Sequence, residues 1–234
     1  MTHLPAPHPL PDALAGTRRR APRLVLASAV AFGLGLAQVT PGVAGTVLRG
    51  RVTVPATLPA GTGALSGTRT SVSPADVVVY VTEKPGHGKP HLPGRGMRAD
   101  VELKGDQFIP PVLAVTVGSK LRFQNRDRVY HSPFRVSPAG RFELGSLAPG
   151  QRREVRLDRP GVSNLFCQLH PASAGFVIVC PNWFHTRPSA TGDYALPPLP
   201  RGSYLVHAWH PRLGDIQRSV EVTGRDVVRF DLGF

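Results

Sequence analysis

The sequence predicts an all-β fold, and three observations carry that expectation. Glycine and proline are abundant, 25 of each in 234 residues, so turn signals divide the chain into short segments. No long 3.6-residue apolar period follows residue 45, whereas segments such as Val115–Phe123 alternate apolar and polar positions with period two. Several such segments recur between turn signals, the pattern of a β-sandwich. The length allows one large or two small domains.

The N-terminal segment, 1–44, reads as an export signal. Arg18, Arg19, Arg20 and Arg23 precede the apolar stretch Leu24–Ala37. That stretch is too short for a membrane span of about 20 residues but suits a signal h-region. Gly42-Val43-Ala44 supplies small residues for cleavage, and no cysteine follows that would carry a lipid anchor. The paired arginines leave both the general and the twin-arginine export routes open. The reading implies a periplasmic protein beginning near Gly45, with no transmembrane anchor after cleavage. Losing four arginines and Asp12 lowers the formal charge from +13 to +10. Of the 28 basic residues 24 are arginine, none in a run interleaved with aromatics, which argues against nucleic-acid binding.

Beyond the signal, "GTVLRGRVTV" (45–54) and "DVVVYVTE" (76–83) read as the opening strands of a small sandwich, 45–84. A Pro/Gly-rich linker, 85–96, carries His87 and His91. A second unit, 97–181, contains the chemistry. The segment 182–234 supplies "TGDYALPPLPRGSYLVHAWHP" (191–211) and "RSVEVTGRDVVRFDLGF" (218–234), which read as closing strands of the first sandwich. His207 and His210 are three apart, on opposite faces of a strand, so joint ligation is not expected. His185, after Trp183-Phe184, is expected in interdomain packing.

Within 97–181, Cys167-Gln168-Leu169-His170 places a thiol and an imidazole three apart at a strand end. "SNLFC" (163–167) and "GFVIVC" (175–180) form the arms of an expected hairpin, with Cys167 opposite about Gly175. Cys180 then lies roughly 16 Å further along at about 3.3 Å per residue. A disulfide needs Cα atoms within about 7 Å, so a Cys167–Cys180 bridge, the simplest expectation for an exported pair, fits poorly. His131 follows the strand ending at Asn125 and can meet the Cys-x-x-His loop at one pole of the sandwich. Two histidines and a cysteine form the trigonal set of blue copper sites. Zinc, bound by the same three groups plus water, is the alternative.

The span from about Met97 to Val179 resembles the cupredoxins, particularly plastocyanin- and amicyanin-like ones. The closest resemblance is to bacterial periplasmic cupredoxins labelled methylamine-utilisation proteins. The residues that carry it are Phe108-Ile109-Pro110, the V-x-V-G-x-x-L-x-F-x-N run from Val115 to Asn125, His131, Gly161, and C-x-L-H-P from Cys167 to Pro171. The resemblance implies a Greek-key sandwich with His131, Cys167 and His170 as equatorial ligands to one mononuclear copper. Two positions depart from the family. Ser173 stands where the axial Met is expected, leaving Ser173, the Tyr130 backbone carbonyl or water as weak axial candidates. Ser132 stands where an Asn often braces the cysteine loop. The flanking segments, 45–84 and 182–234, resemble a carboxypeptidase-regulatory-like (prealbumin-like) sandwich, which implies that the copper unit is nested between its halves. One extended sandwich is the other topology.

These readings imply a one-electron carrier rather than an enzyme. Its partner would be a redox protein such as a cytochrome or dehydrogenase, acidic if the arginines steer docking. Arg126 and Arg128 beside His131, and Arg152 and Arg153, are the candidate basic patch. His170 would be the exit for the electron, within an apolar rim of Pro133, Phe134, Pro171 and Ala172. The alternative is a metal-free or copper-storing module that binds a protein, glycan or envelope polymer. A nitrite-reductase-type enzyme would need a second histidine cluster that the sequence does not assemble.

Overall fold

A computed structural model of the chain describes residues 45–56, 72–84, 94, 96–224 and 227–234. The expected signal, 1–44, and the linker histidines His87 and His91 lie outside them. The described residues are all-β, with a single 3-10 turn at Pro74–Asp76. No helix among them is long and apolar enough to cross a membrane.

The strands run β1 (Val47–Thr53), β2 (Val78–Glu83), β3 (Arg98–Lys104), β4 (Gln107–Ile109), β5 (Val112–Thr116) and β6 (Ser119–Asn125). They continue with β7 (Pro133–Ser137), β8 (Gly140–Glu143), β9 (Arg152–Leu157), β10 (Gly161–Cys167), β11 (Ala174–Cys180) and β12 (His185–Thr186). The last five are β13 (Asp193–Ala195), β14 (Gly202–His210), β15 (Gly214–Val222), β16 (Val227–Arg229) and β17 (Leu232–Gly233).

Four sheets form two sandwiches. In one, β4-β3-β6-β9 faces β5-β11-β10-β7-β8. Its core joins Val101, Leu121 and Phe123 from the first sheet to Val115, Leu165 and Val177 from the second. In the other, β13-β1-β16, with β17 also on β1, faces β12-β2-β14-β15. Leu48, Val79, Val81, Tyr204 and Val206 fill that core. The first two strands of the chain therefore pair with the last six, while β3 to β11 pair only among themselves.

A third apolar cluster binds the sandwiches face to face. Val78 and Trp209, on the outer face of β2 and β14, meet Val112, Phe176, Ile178 and Cys180, on the outer face of β5 and β11. Strand β11 is thus buried on both faces, Val177 and Val179 inward and Phe176, Ile178 and Cys180 outward. Burial on both faces is why "GFVIVC" is apolar without alternation. His185 adds a polar tie from β12 to β5, its Nε2 lying 3.3 Å from the Thr116 hydroxyl.

The expected hairpin of β10 and β11 forms, but its register is tighter than the sequence suggested. Gly175 pairs with Leu165 and Ala174 with Phe166, so Cys167 falls opposite the region of Ser173. The Ser173 N–H turns back onto the His170 carbonyl (2.9 Å), and the Gln168 N–H bonds the Ser132 carbonyl (3.0 Å). These bonds consume residues that a plain hairpin loop would have spread out. The shift is by an even number of residues, so every side chain keeps its face. Cys180 moves further still from Cys167, and both are free, buried thiols.

Candidate metal centre

Three loops converge at one end of the first sandwich: 126–132 between β6 and β7, 168–173 between β10 and β11, and the tight Gly105–Asp106 turn between β3 and β4. The first is organised by Asn125, a fully buried amide at the end of β6. Its Nδ2 donates to the carbonyls of Val129 (2.7 Å) and Leu147 (3.0 Å), and its Oδ1 accepts the Asp127 N–H (2.9 Å). His131 follows, its backbone paired in both directions with Leu147. The side chain is therefore delivered inward, where it is 1% exposed.

Cys167 closes β10 opposite Pro133, at the start of β7. Its Sγ lies 3.8 Å from His131 Nδ1 and 3.5 Å from His170 Nδ1. The three donor atoms lie within 4.8 Å of one another. An ion with bonds of about 2.0–2.3 Å to nitrogen and sulfur, in trigonal geometry, would set N···S at about 3.7 Å. The two N···S separations match those of such an ion. The Ser132 N–H points at the sulfur from 3.3 Å, a contact suited to a thiolate. The Ser132 hydroxyl donates to Gln168 Oε1 (3.0 Å), so this serine itself braces the two ligand loops.

Behind the imidazoles stand two carboxylates that sequence reasoning missed. Asp127 Oδ2 is 2.9 Å from His131 Nε2, and Asp106 Oδ1 is 3.4 Å from His170 Nε2. A carboxylate hydrogen-bonded to Nε2, as Asp127 is at His131, keeps the proton there and leaves Nδ1 as a lone-pair donor facing Cys167. Burial pushes the Asp127 carboxyl upward, but bonds from the Gly105 and Asp106 N–H groups and from His131 outweigh it and hold the group below the usual carboxylate range. The signals available in the sequence were slight: an aspartate four residues before His131, and a Gly-Asp dipeptide in a turn.

The remaining candidates are placed as follows. Ser173 is buried, and its hydroxyl donates to the Asp106 carbonyl at 2.6 Å. The Tyr130 side chain is exposed. Met97, just before β3, sits at the end of that strand away from the Gly105–Asp106 turn. The expected apolar rim needs correction. Pro133 is buried in β7, and Phe134 is half-buried against Phe166, their ring centroids 5.6 Å apart. Pro133 therefore leaves the expected rim, while Phe134 remains partly exposed. The exposed apolar side chains flanking the three candidate donors are Val129, Tyr130 and Leu169, with Pro171 and Ala172. Arg126 is paired with Glu102 at 3.0 Å, so the basic patch beside His131 is partly neutralised.

In the second sandwich His207 joins a separate network, with Nδ1 2.9 Å from Asp215 and Nε2 2.9 Å from the Thr82 hydroxyl. Tyr80 stacks on its ring at 4.6 Å. His210 Nδ1 accepts the Arg212 N–H (3.1 Å), so the two histidines serve different partners.

The chain matches no protein-family model and no curated protein. Among solved structures it is similar to a Cu-containing nitrite reductase (NirK) from Thermus scotoductus SA-01, with 26% identity over 35% of this chain and 22% of that one, TM-score 0.34. It is also similar to a reduced amicyanin carrying a tryptophan-to-tyrosine substitution, at 21% identity over 35% of this chain and 81% of that one, TM-score 0.33. A purple cupredoxin from Nitrosopumilus maritimus aligns at 24% identity over 35% of this chain and 98% of that one, TM-score 0.32. The chain thus spans about a fifth of the nitrite reductase.

Proposed function

We propose that this chain is an exported, periplasmic electron carrier of the cupredoxin type that binds one copper ion through His131, Cys167 and His170. The observation that supports it best is the donor set itself: two Nδ1 atoms and one sulfur at the separations a trigonal soft-metal site needs. Copper bound there would supply reversible one-electron chemistry. The chain's own residues do the rest. Cys167 is screened from water, His131 is locked by Asp127, and the Ser132 N–H steadies the sulfur charge. His170, with 23% of its side chain exposed, is the ligand a partner can reach. Val129, Tyr130 and Leu169 form the apolar contact surface around it for a redox protein such as a cytochrome or dehydrogenase. With Ser173 turned to the Asp106 carbonyl, the Tyr130 carbonyl or water is our choice for any weak axial contact.

The same donors suit zinc, and one experiment separates the metals. Residues 45–234, loaded with Cu(II), are expected to bind one equivalent and to develop intense visible absorption from thiolate-to-copper charge transfer. A colourless copper complex, or preferential retention of zinc in the presence of equimolar copper, overturns the reading.

A further inference from the structure

Asp106 has the one positive φ among the described non-glycine residues, +56°. It follows Gly105 (φ +59°) in the two-residue turn closed by Lys104 and Gln107. Such a turn takes glycine, asparagine or aspartate most easily, and Asp106 is one of the few L-residue types that enter the left-handed region. This left-handed residue lies beside the candidate metal site.

Three attachments converge on this one turn. The Gly105 N–H donates to Asp127 Oδ1 (2.9 Å), the carboxylate that also holds His131. The Asp106 carbonyl accepts the Ser173 hydroxyl (2.6 Å), from the loop that carries His170. The Asp106 carboxylate reaches His170 Nε2 (3.4 Å) and lies within 4.8 Å of the His131 ring nitrogen and Asp127. The turn is therefore tied to both ligand loops, and its side chain faces the distal edge of both imidazoles.

We propose that Asp106 is a positioning residue for His170: from a turn lashed to both loops, it fixes the Nε2–H tautomer and so presents Nδ1 to the metal. Ser173 serves this clamp by anchoring the Asp106 backbone. The proposal rests on the copper reading for its functional meaning, while the tautomer can be read without metal.

Asp106→Gly is the informative variant. It deletes the carboxylate at a backbone position where glycine is at ease, so the fold is spared while the site loses its clamp. Asp106→Asn keeps an acceptor oxygen at the same place. Loss of a carboxylate behind a metal-bound histidine typically weakens metal affinity by about 10–100-fold. The longer contact here, 3.4 Å against 2.9 Å at Asp127, puts the expectation near the lower end, about tenfold for Asp106→Gly in chelator competition with Cu(II). Asp106→Asn should recover most of that loss. In the metal-free protein, ¹⁵N-resolved imidazole spectra should show His170 as the Nε2–H tautomer in the wild type and as a tautomer mixture in Asp106→Gly. Unchanged affinity together with an unchanged tautomer in Asp106→Gly overturns the clamp. If the wild type binds no copper yet the tautomer depends on Asp106, the copper reading falls and the clamp stands. Copper binding that ignores Asp106 gives the reverse.

Discussion

Cys167 and Cys180 end the two arms of one hairpin, and they show how little a residue's type decides its chemistry. Each is buried, and each sits in a five-stranded sheet. Cys167 points to the pole where loops arrive, with one N–H and two imidazole nitrogens within 4 Å of its sulfur. Cys180 points between the sandwiches, among Val78, Ile178 and Trp209, and burial pushes its thiol up to about 12. A thiolate is the metal ligand and the nucleophile, so only the first environment can use the sulfur. One end of the sheet is a polar site held open by hydrogen-bonded loops. The other is a buried, mostly apolar joint.

The largest expected effect is on metal binding. Cys167→Ser should abolish the visible absorption and lower Cu(II) affinity by orders of magnitude, whereas Cys180→Ser should retain both. Titration of the two variants side by side checks this. Colour that survives in Cys167→Ser, or disappears in Cys180→Ser, would break the contrast between the two ends.

The sequence made the all-β class legible because glycine and proline punctuate every segment and the strands that face water on one side alternate. It also exposed the three donors, since His131 and the Cys-x-x-His loop each sit just past a recognisable strand. Register was less legible. The turn at His170–Ser173 depends on a backbone bond that no residue type announces, and the arms slid by two residues without changing faces. The apolar rim was misjudged for a related reason: Pro133 looks like a loop residue, yet it opens β7 and pairs with Cys167. The carboxylates behind the histidines were missed because Asp106 lies 64 positions from His170 and meets it only through the turn of a different sheet.

That joint should carry the second effect. Trp209 is nearly buried and packs on Phe176 at a centroid distance of 5.3 Å. Trp209→Ala removes a large side chain from a joint that both sheets close, at an expected cost of about 3–5 kcal/mol. Denaturant unfolding measures the loss. Metal affinity in the surviving folded protein should stay within about twofold, because Trp209 packs in the joint with Val112, Phe176, Ile178 and Cys180. A comparable fall in affinity would show that the two ends of the sheet are coupled.

Cys180→Ser sharpens the same contrast at smaller amplitude. A hydroxyl placed among apolar side chains without a partner costs about 1–3 kcal/mol. In the wild-type metal-free protein, a thiol reagent should label Cys167 through opening of its loops and reach Cys180 only on global unfolding. Equal labelling rates for the two thiols would contradict the difference in their surroundings.

The smallest effect concerns two histidines outside the metal pole. Burial holds His185 and His210 below their ordinary value of 6.5, with Asp76 partly opposing the shift at His210. The folded state therefore keeps both rings neutral, while the unfolded chain takes up protons below about pH 6.5. Between the folded pKa and 6.5 the unfolded state binds more protons, so stability rises with pH there. Their contribution is complete above 6.5 and is lost as the pH falls from 6.5 through the lowered folded value. Each ring contributes at most about 1.4 kcal/mol per pH unit in that window. Asp100, Asp127, Asp193 and Asp231, whose carboxyls are held below the usual 3.8, act in a separate and more acidic range. Their stabilisation is present above 3.8 and lost below it. The test is thermal unfolding of the metal-free chain at about pH 8, 7, 6 and 5, on either side of the histidine range. In the double variant, His210→Asn keeps an acceptor near the Arg212 N–H and His185→Gln keeps a partner for Thr116. The wild type should lose stability between about pH 6.5 and 5, and the variant should lose visibly less. An identical slope in the two would remove the sandwich joint from the account.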